Sequence, residues 1–269
     1  MVFEQLFKPR WIERKEHAFF LGLLYSIIGL ISARLIFPSN VGLMSVAFTS
    51  ILLIPSLNLL LRMEENVEIR ENKLHLKQLF IDHKDIFKVY IFMFLGIFLA
   101  YSLISLLFSE FTIERLFTAQ LKSAGISGFA LAQDPLISLI LNNLLVFVVC
   151  FILSLVYGAG SLLFLTWNAS VWGIVFGFFV RQSTEVTGAN AIIQFWASLF
   201  PFLPHMATEA VAYISAAIVG GVVSKAVLRE KLFSKKFHHI ITDALIFLAI
   251  GFVLVIIAGF IEVKLFAKI

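Results

Sequence analysis

Charged residues are scarce in this chain. Only 14% of its 269 residues are Asp, Glu, Lys or Arg, whereas soluble domains carry about 25%. Hydrophobic residues make up 60% of the chain, and 30 of them are Phe. This composition excludes an ordinary soluble globular protein and predicts an integral membrane protein of the all-α, polytopic class.

Cysteine and recognisable catalytic motifs are nearly absent as well. The single Cys150 lies in an apolar run, which excludes a disulfide framework and predicts a buried structural thiol. The sequence contains no Gly-rich phosphate loop, no His-Glu-x-x-His and no Ser or Asp pattern typical of intramembrane proteases. The net charge of +4 is not a nucleic-acid signal. We therefore expect no enzymatic activity, no cofactor, no metal site and no nucleic-acid partner.

Apolar runs of membrane-spanning length recur along the whole chain. They predict one integral membrane domain with about seven transmembrane helices, six being the lower count. The predicted spans cover residues 17–37, 41–61, 88–108, 135–157, 161–181, 203–224 and 240–266. Short turns join the first two spans, and likewise the fourth and fifth, so each of these pairs is expected to form an antiparallel hairpin.

Three of the segments between the predicted spans are expected to form structures of their own. Residues 62–87 carry mixed charges and form a cytoplasmic loop, with either a small β-hairpin about Asn72 or a surface helix. Residues 111–123 have apolar residues at helical spacing, which predicts an interfacial helix on the outer side. Residues 191–201 are apolar but too few to cross a bilayer, so a re-entrant or interfacial segment is expected there.

Most of the Lys and Arg residues fall before the first span, in residues 62–88 and in residues 225–236. Positively charged loops remain on the cytoplasmic side of a membrane protein. The predicted topology in the cell membrane therefore has a cytoplasmic N-terminus and an outer C-terminus. The amphipathic residues 1–16 are expected to lie at the membrane surface.

Five polar side chains interrupt the last spans: Asn142, Asn143, Asn168, His205 and Glu209. A carboxylate at mid-bilayer costs about 2.5–3.5 kcal/mol on insertion scales, so such residues are candidates for function. Counting along each span predicts that they converge in the outer half of the bilayer, with Asn168 one or two turns deeper than the others. Singly, the Asn residues have a simpler interpretation as hydrogen-bonding links between helices. Likewise, a helix N-terminus after Pro204 would favour Glu209 electrostatically.

Small residues follow this polar pair along the sixth span. Ala212, Ala216 and Gly220 share a helical face with His205 and Glu209. The fifth span has its own Gly173-x-x-x-Gly177 pair, and small residues allow helices to approach closely. We therefore expect spans four, five and six to pack together around the polar residues.

The polar residues form a pattern that resembles the stage II sporulation protein M family. The pattern comprises Asn142-Asn143, Asn168 with Gly173, and Pro204-His205-x-x-x-Glu209 before a small-residue helix. The resemblance covers about residues 134–224, and Met206 stands where the family pattern has Gly. It implies a polytopic helical membrane protein without a known cofactor, similar to a scaffold that assembles envelope enzymes.

Three functions are compatible with these observations. The first is a membrane scaffold or assembly protein with lipid, other membrane or envelope proteins, or a second copy of the chain as partners. The second is a transporter, channel or lipid-handling protein that uses the polar residues around Glu209. The third, least favoured, is an enzyme with His205 and Glu209 as acid and base. Close packing of small-residue helix faces favours the first.

Overall fold

The computed structural model describes residues 15–68, 84–123, 135–232 and 234–266, which are almost entirely helical and contain no β-strand. The helices are α1 (Lys15–Ile36), α2 (Val41–Glu68), α3 (Lys84–Leu107), α4 (Glu110–Leu116), α5 (Thr118–Ser123), α6 (Pro135–Tyr157), α7 (Leu162–Thr187), α8 (Ala191–Arg229) and α9 (Lys235–Phe266). A 3-10 turn, Ala159–Ser161, joins α6 to α7. The β-hairpin predicted about Asn72 and the surface segment before residue 15 lie outside the described residues.

Within the described residues, six helices are long and apolar enough to cross a membrane: α1, α3, α6, α7, α8 and α9. The apolar part of α2, Val41–Leu57, is shorter. In lipid the backbone of each apolar run must satisfy its hydrogen bonds internally, and a helix does so. The structure therefore confirms the all-α, multi-pass class, while the seventh span remains a prediction that depends on α2.

Helix α8 differs from its sequence prediction. Residues 191–201 and 203–224 are parts of one helix of 39 residues, Ala191–Arg229. The helix begins where the Asn190 side chain accepts a hydrogen bond from the Ile192 amide at 2.8 Å. Pro201 and Pro204 lie three residues apart and are both exposed, so their rings face outward. Pro204 is therefore inside the helix rather than at its start.

The predicted outer helix at residues 111–123 is divided into α4 and α5. The break falls at Phe117, which ends α4 with non-helical backbone angles. Phe117 is fully buried and its ring contacts Tyr101 of α3, with 6.0 Å between the ring centroids. Gln120 of α5 donates a hydrogen bond to the Gly42 carbonyl of α2 at 3.0 Å. These contacts fix both short helices against one end of the bundle.

The Gly173-x-x-x-Gly177 face packs on α3, rather than on the helices of spans four and six as expected. A Cβ added at Gly173 would lie 2.7 Å from the Phe98 carbonyl oxygen, and one added at Gly177 would lie 2.6 Å from that of Ser102. The turn between α6 and α7 joins the two helices at one end only. The close backbone approach to α3 then determines where α7 lies.

Candidate functional site

The His205 and Glu209 pair of α8 lies inside the bundle. His205 is fully buried and Glu209 is 4% exposed. They are one helical turn apart, and the imidazole Nε2 lies 3.6 Å from the Glu209 Oε2. The end of the bundle nearest to Glu209 is at Arg181, whose guanidinium donates to the Ser105 and Leu106 carbonyls at the end of α3. Trp172, which contacts Glu209, lies about 13 Å from Arg181 along the axis of α7. Glu209 is therefore well inside the bundle.

A second carboxylate approaches His205 from α9. The Glu262 Oε2 lies 3.7 Å from the same Nε2, and the Glu262 side chain is 12% exposed. On the opposite side of the ring, Nδ1 lies 3.2 Å from the Ala258 carbonyl oxygen. His205 therefore links α8 to α9 through the Nδ1 contact with Ala258, while Nε2 faces the Glu262 carboxylate.

Glu209 is held by two hydrogen-bond donors. The Trp172 indole Nε1 of α7 donates to Oε2 at 3.0 Å, and the Tyr213 hydroxyl donates to Oε1 at 2.7 Å. The Trp172 ring also meets the His205 ring edge-on, with 4.8 Å between centroids. We call this group of side chains the Glu209 cluster; it comprises Trp172, His205, Glu209, Tyr213 and Glu262.

Helix α6 contributes Asn143, which is 4% exposed and lies next to Glu262. Its Oδ1 accepts a 3.4 Å hydrogen bond from Asn142, whose own side chain is exposed. Asn143 is thus at the edge of the Glu209 cluster, and Asn142 is on the outside of the bundle.

Asn168 occupies a different place from the one predicted. Its Nδ2 donates to the Phe164 carbonyl of its own helix at 2.8 Å. No polar contact in the described part of the chain connects it to His205 or Glu209. The side chain that α7 contributes is instead Trp172, one turn further along the helix.

The small residues of α8 lie on its contact with α6 and α9. Ala212 and Ala216 are fully buried. A Cβ added at Gly220 would be 2.5 Å from the Phe151 carbonyl oxygen and 2.7 Å from the Ser154 Cβ, both on α6. This face keeps α6 and α8 close together about three helical turns away from Glu209.

The position of hydrogen atoms around His205 follows from its partners. A carbonyl oxygen can only accept, so the nitrogen facing Ala258 is the one that carries a hydrogen. Nε2 then faces two carboxylate oxygens, and its bare lone pair would repel them. Within the described residues no Lys or Arg pairs with either carboxylate. At 3.6 and 3.7 Å the two contacts are longer than hydrogen bonds, so Nε2 lies close to both carboxylates without being hydrogen-bonded to either.

Sequence reasoning missed Trp172, Tyr213 and Glu262. Tyr213 follows Glu209 by one helical turn, and Trp172 follows Asn168 by the same interval. Glu262 is inside the predicted last span, and its place near the outer end puts it at the depth predicted for Glu209. Metal binding has no candidate here, because no group of three His, Cys, Asp or Glu side chains in the described ranges could hold an ion.

The residues of this site lie in a part of the chain that matches a known protein family. The family model for stage II sporulation protein M matches residues 88–265, well over half of the chain. The chain belongs to the stage II sporulation protein M family. The matched region begins in α3 and includes α6, α7, α8 and α9, so the entire Glu209 cluster lies within the family's own region. No curated protein and no solved structure matches the chain.

Proposed function

We propose that this family member is a non-catalytic membrane scaffold that holds partner membrane or envelope proteins together. The observation that supports this most is the dense, buried packing of the Glu209 cluster. His205 is fully buried, Tyr213 is 1% exposed and Glu209 is 4% exposed. Polar groups packed in this way join helices.

The contacts of the Glu209 cluster connect helices that are distant in sequence. Trp172 connects α7 to α8 through Glu209, and His205 connects α8 to α9 through Ala258. Hydrogen bonds between transmembrane helices contribute roughly 0.6–2 kcal/mol each. Several of them fix the relative positions of the helices, and a scaffold needs fixed outer faces to bind a partner reproducibly. In this proposal the N-terminus is cytoplasmic and the C-terminus is outside the cell membrane.

Co-purification tests the scaffold function. The full-length protein, tagged and expressed in its native membranes, is crosslinked mildly and purified, and its partners are identified by mass spectrometry. We expect a partner protein in a fixed ratio to the chain, both for the wild type and for Glu209→Gln. The Glu209→Ala variant should lose that partner, because it loosens the helix positions. Recovery of the wild-type chain alone, as a monomer, would contradict the proposal.

Proton-coupled transport is a second candidate, and one observation favours it. His205 Nε2 lies within 3.7 Å of two carboxylates, an arrangement that can take up and release a proton. Transport would also require this proton to exchange with water from at least one side of the membrane. The burial of the Glu209 cluster is less favourable to that function than to a scaffold.

A further inference from the structure

A cavity separate from the Glu209 cluster opens between α1, α2, α3 and α4. Its volume is about 630 Å³. It lies beside the last turn of α1, the turn that leads into α2, the end of α3 and the exposed face of α4. Under the predicted topology this is the outer surface of the membrane. Cavities of roughly 300–1,000 Å³ are typical of small-molecule sites.

Two arginines define the polar part of this cavity. Arg34 comes from the last turn of α1 and Arg115 from the last turn of α4. The hydroxyl-bearing residues Ser39 and Thr112 also line it, and no acidic residue does. The remaining wall is apolar and includes Leu30, Phe108 and Phe111.

Neither arginine has an acidic partner among the residues that the structure describes. Arg181, at the same end of the bundle, differs because its guanidinium donates to the Ser105 and Leu106 carbonyls. Arg34 and Arg115 are exposed, and two cations beside one cavity repel each other unless an anion lies between them. Their positions therefore complement a negatively charged ligand.

The walls of the cavity are well supported. Ile113 and Phe117 are 1% and 0% exposed and anchor α4 to the bundle. The Ser109 side chain caps the start of α4 by accepting from the Thr112 amide at 3.4 Å. Arg115 therefore projects from a helix whose position is set by packing, and the site exists before a ligand binds.

We propose that this cavity binds the headgroup of an anionic phospholipid. Arg34 and Arg115 bind its phosphate, since guanidinium groups match phosphate oxygens geometrically and keep their charge. The acyl chain lies along Phe108 and Phe111. A free phosphate ion would leave this apolar wall without a partner, whereas a phospholipid uses both parts of the cavity. Thus a lipid of the surrounding membrane is a bound component of the fold.

Native mass spectrometry of the purified full-length protein tests this site. The protein is delipidated in detergent and titrated with phosphatidylglycerol, or with phosphatidylcholine as the zwitterionic comparison. We expect selective retention of phosphatidylglycerol. Removing both charges in R34Q/R115Q should weaken that binding about thirtyfold, since each cation near an anionic headgroup contributes a factor of roughly five.

Two control variants make the result specific. Lys122→Gln removes an exposed charge from α5 at the same end of the bundle but outside the cavity, and it should bind as the wild type does. R34K/R115K keeps both charges and should retain most of the binding, which separates loss of charge from loss of folding. Equal binding of the two lipids, or unchanged binding by R34Q/R115Q, would overturn the proposal. So would displacement of phosphatidylglycerol by millimolar inorganic phosphate, which would indicate a site for the free ion.

Discussion

Replacing Glu209 with Ala is expected to lower the free energy of unfolding by about 3 kcal/mol. The substitution removes the acceptor for both the Trp172 indole and the Tyr213 hydroxyl. A buried donor that loses its acceptor costs about 1–3 kcal/mol. The change is measured by reversible unfolding of the purified protein in mixed micelles.

Glu209→Gln is the matched control for this prediction. The amide side chain still has one carbonyl oxygen, which can accept from Trp172, while its NH2 group can donate to the Tyr213 oxygen. Trp172 can only donate, but Tyr213 can also accept, so both donors keep a partner. We expect a loss of about 1 kcal/mol or less. Equal destabilisation by Ala and Gln would show that the carboxylate charge matters more than the hydrogen bonds.

Gly220→Ala is expected to have the second large effect, a loss of about 2 kcal/mol in unfolding free energy. The new Cβ would lie 2.5 Å from the Phe151 carbonyl oxygen, and a backbone atom cannot rotate away. Helices α6 and α8 would have to separate. The gain in helix propensity from Gly to Ala, about 1 kcal/mol, offsets only part of this cost. The same unfolding measurement applies.

Gly259→Ala on α9 provides the comparison. Its Cβ would meet the Ile140 Cγ1 at 2.6 Å, but Ile140 is only half-buried and can change rotamer. We expect stability within about 1 kcal/mol of the wild type, because such a rotamer change costs roughly 0.5–1.5 kcal/mol and the helix propensity improves. If Gly259→Ala destabilised the protein as much as Gly220→Ala, close backbone approach would not be the cause.

Hydropathy was sufficient to predict the class of fold, because a backbone that crosses a bilayer can satisfy its hydrogen bonds in few ways other than a helix. It could not predict which helices touch. The Gly173-x-x-x-Gly177 pair indicates that some helix approaches α7, but only the shapes of all neighbouring helices select α3. The expectation that Pro204 stands at the start of a helix was also wrong, since α8 had already begun at the Asn190 cap and both proline rings face outward.

Only part of the candidate site was predictable, because the sequence shows which residues are unusual but not which helices touch. His205 and Glu209 stand out because they are ionisable residues among apolar ones. Glu262 is just as unusual, but a carboxylate near the end of a span resembles an ordinary residue at the membrane surface. Its position beside His205 depends on how α8 and α9 pack. Trp172 gives no sequence signal of its own, because aromatic residues are common throughout this chain.

Hydrogen exchange of the Trp172 indole proton tests the central claim most directly. The full-length protein in lipid nanodiscs, labelled with 15N-tryptophan, is transferred to D2O, and the indole signal is assigned by comparison with Trp172→Phe. If the Glu209 cluster is a dry link between α7, α8 and α9, the signal should persist as long as the buried backbone amides of α8. Exchange of that proton at the rate of a free indole, while those amides remain protected, would contradict the account and show that water reaches Glu209.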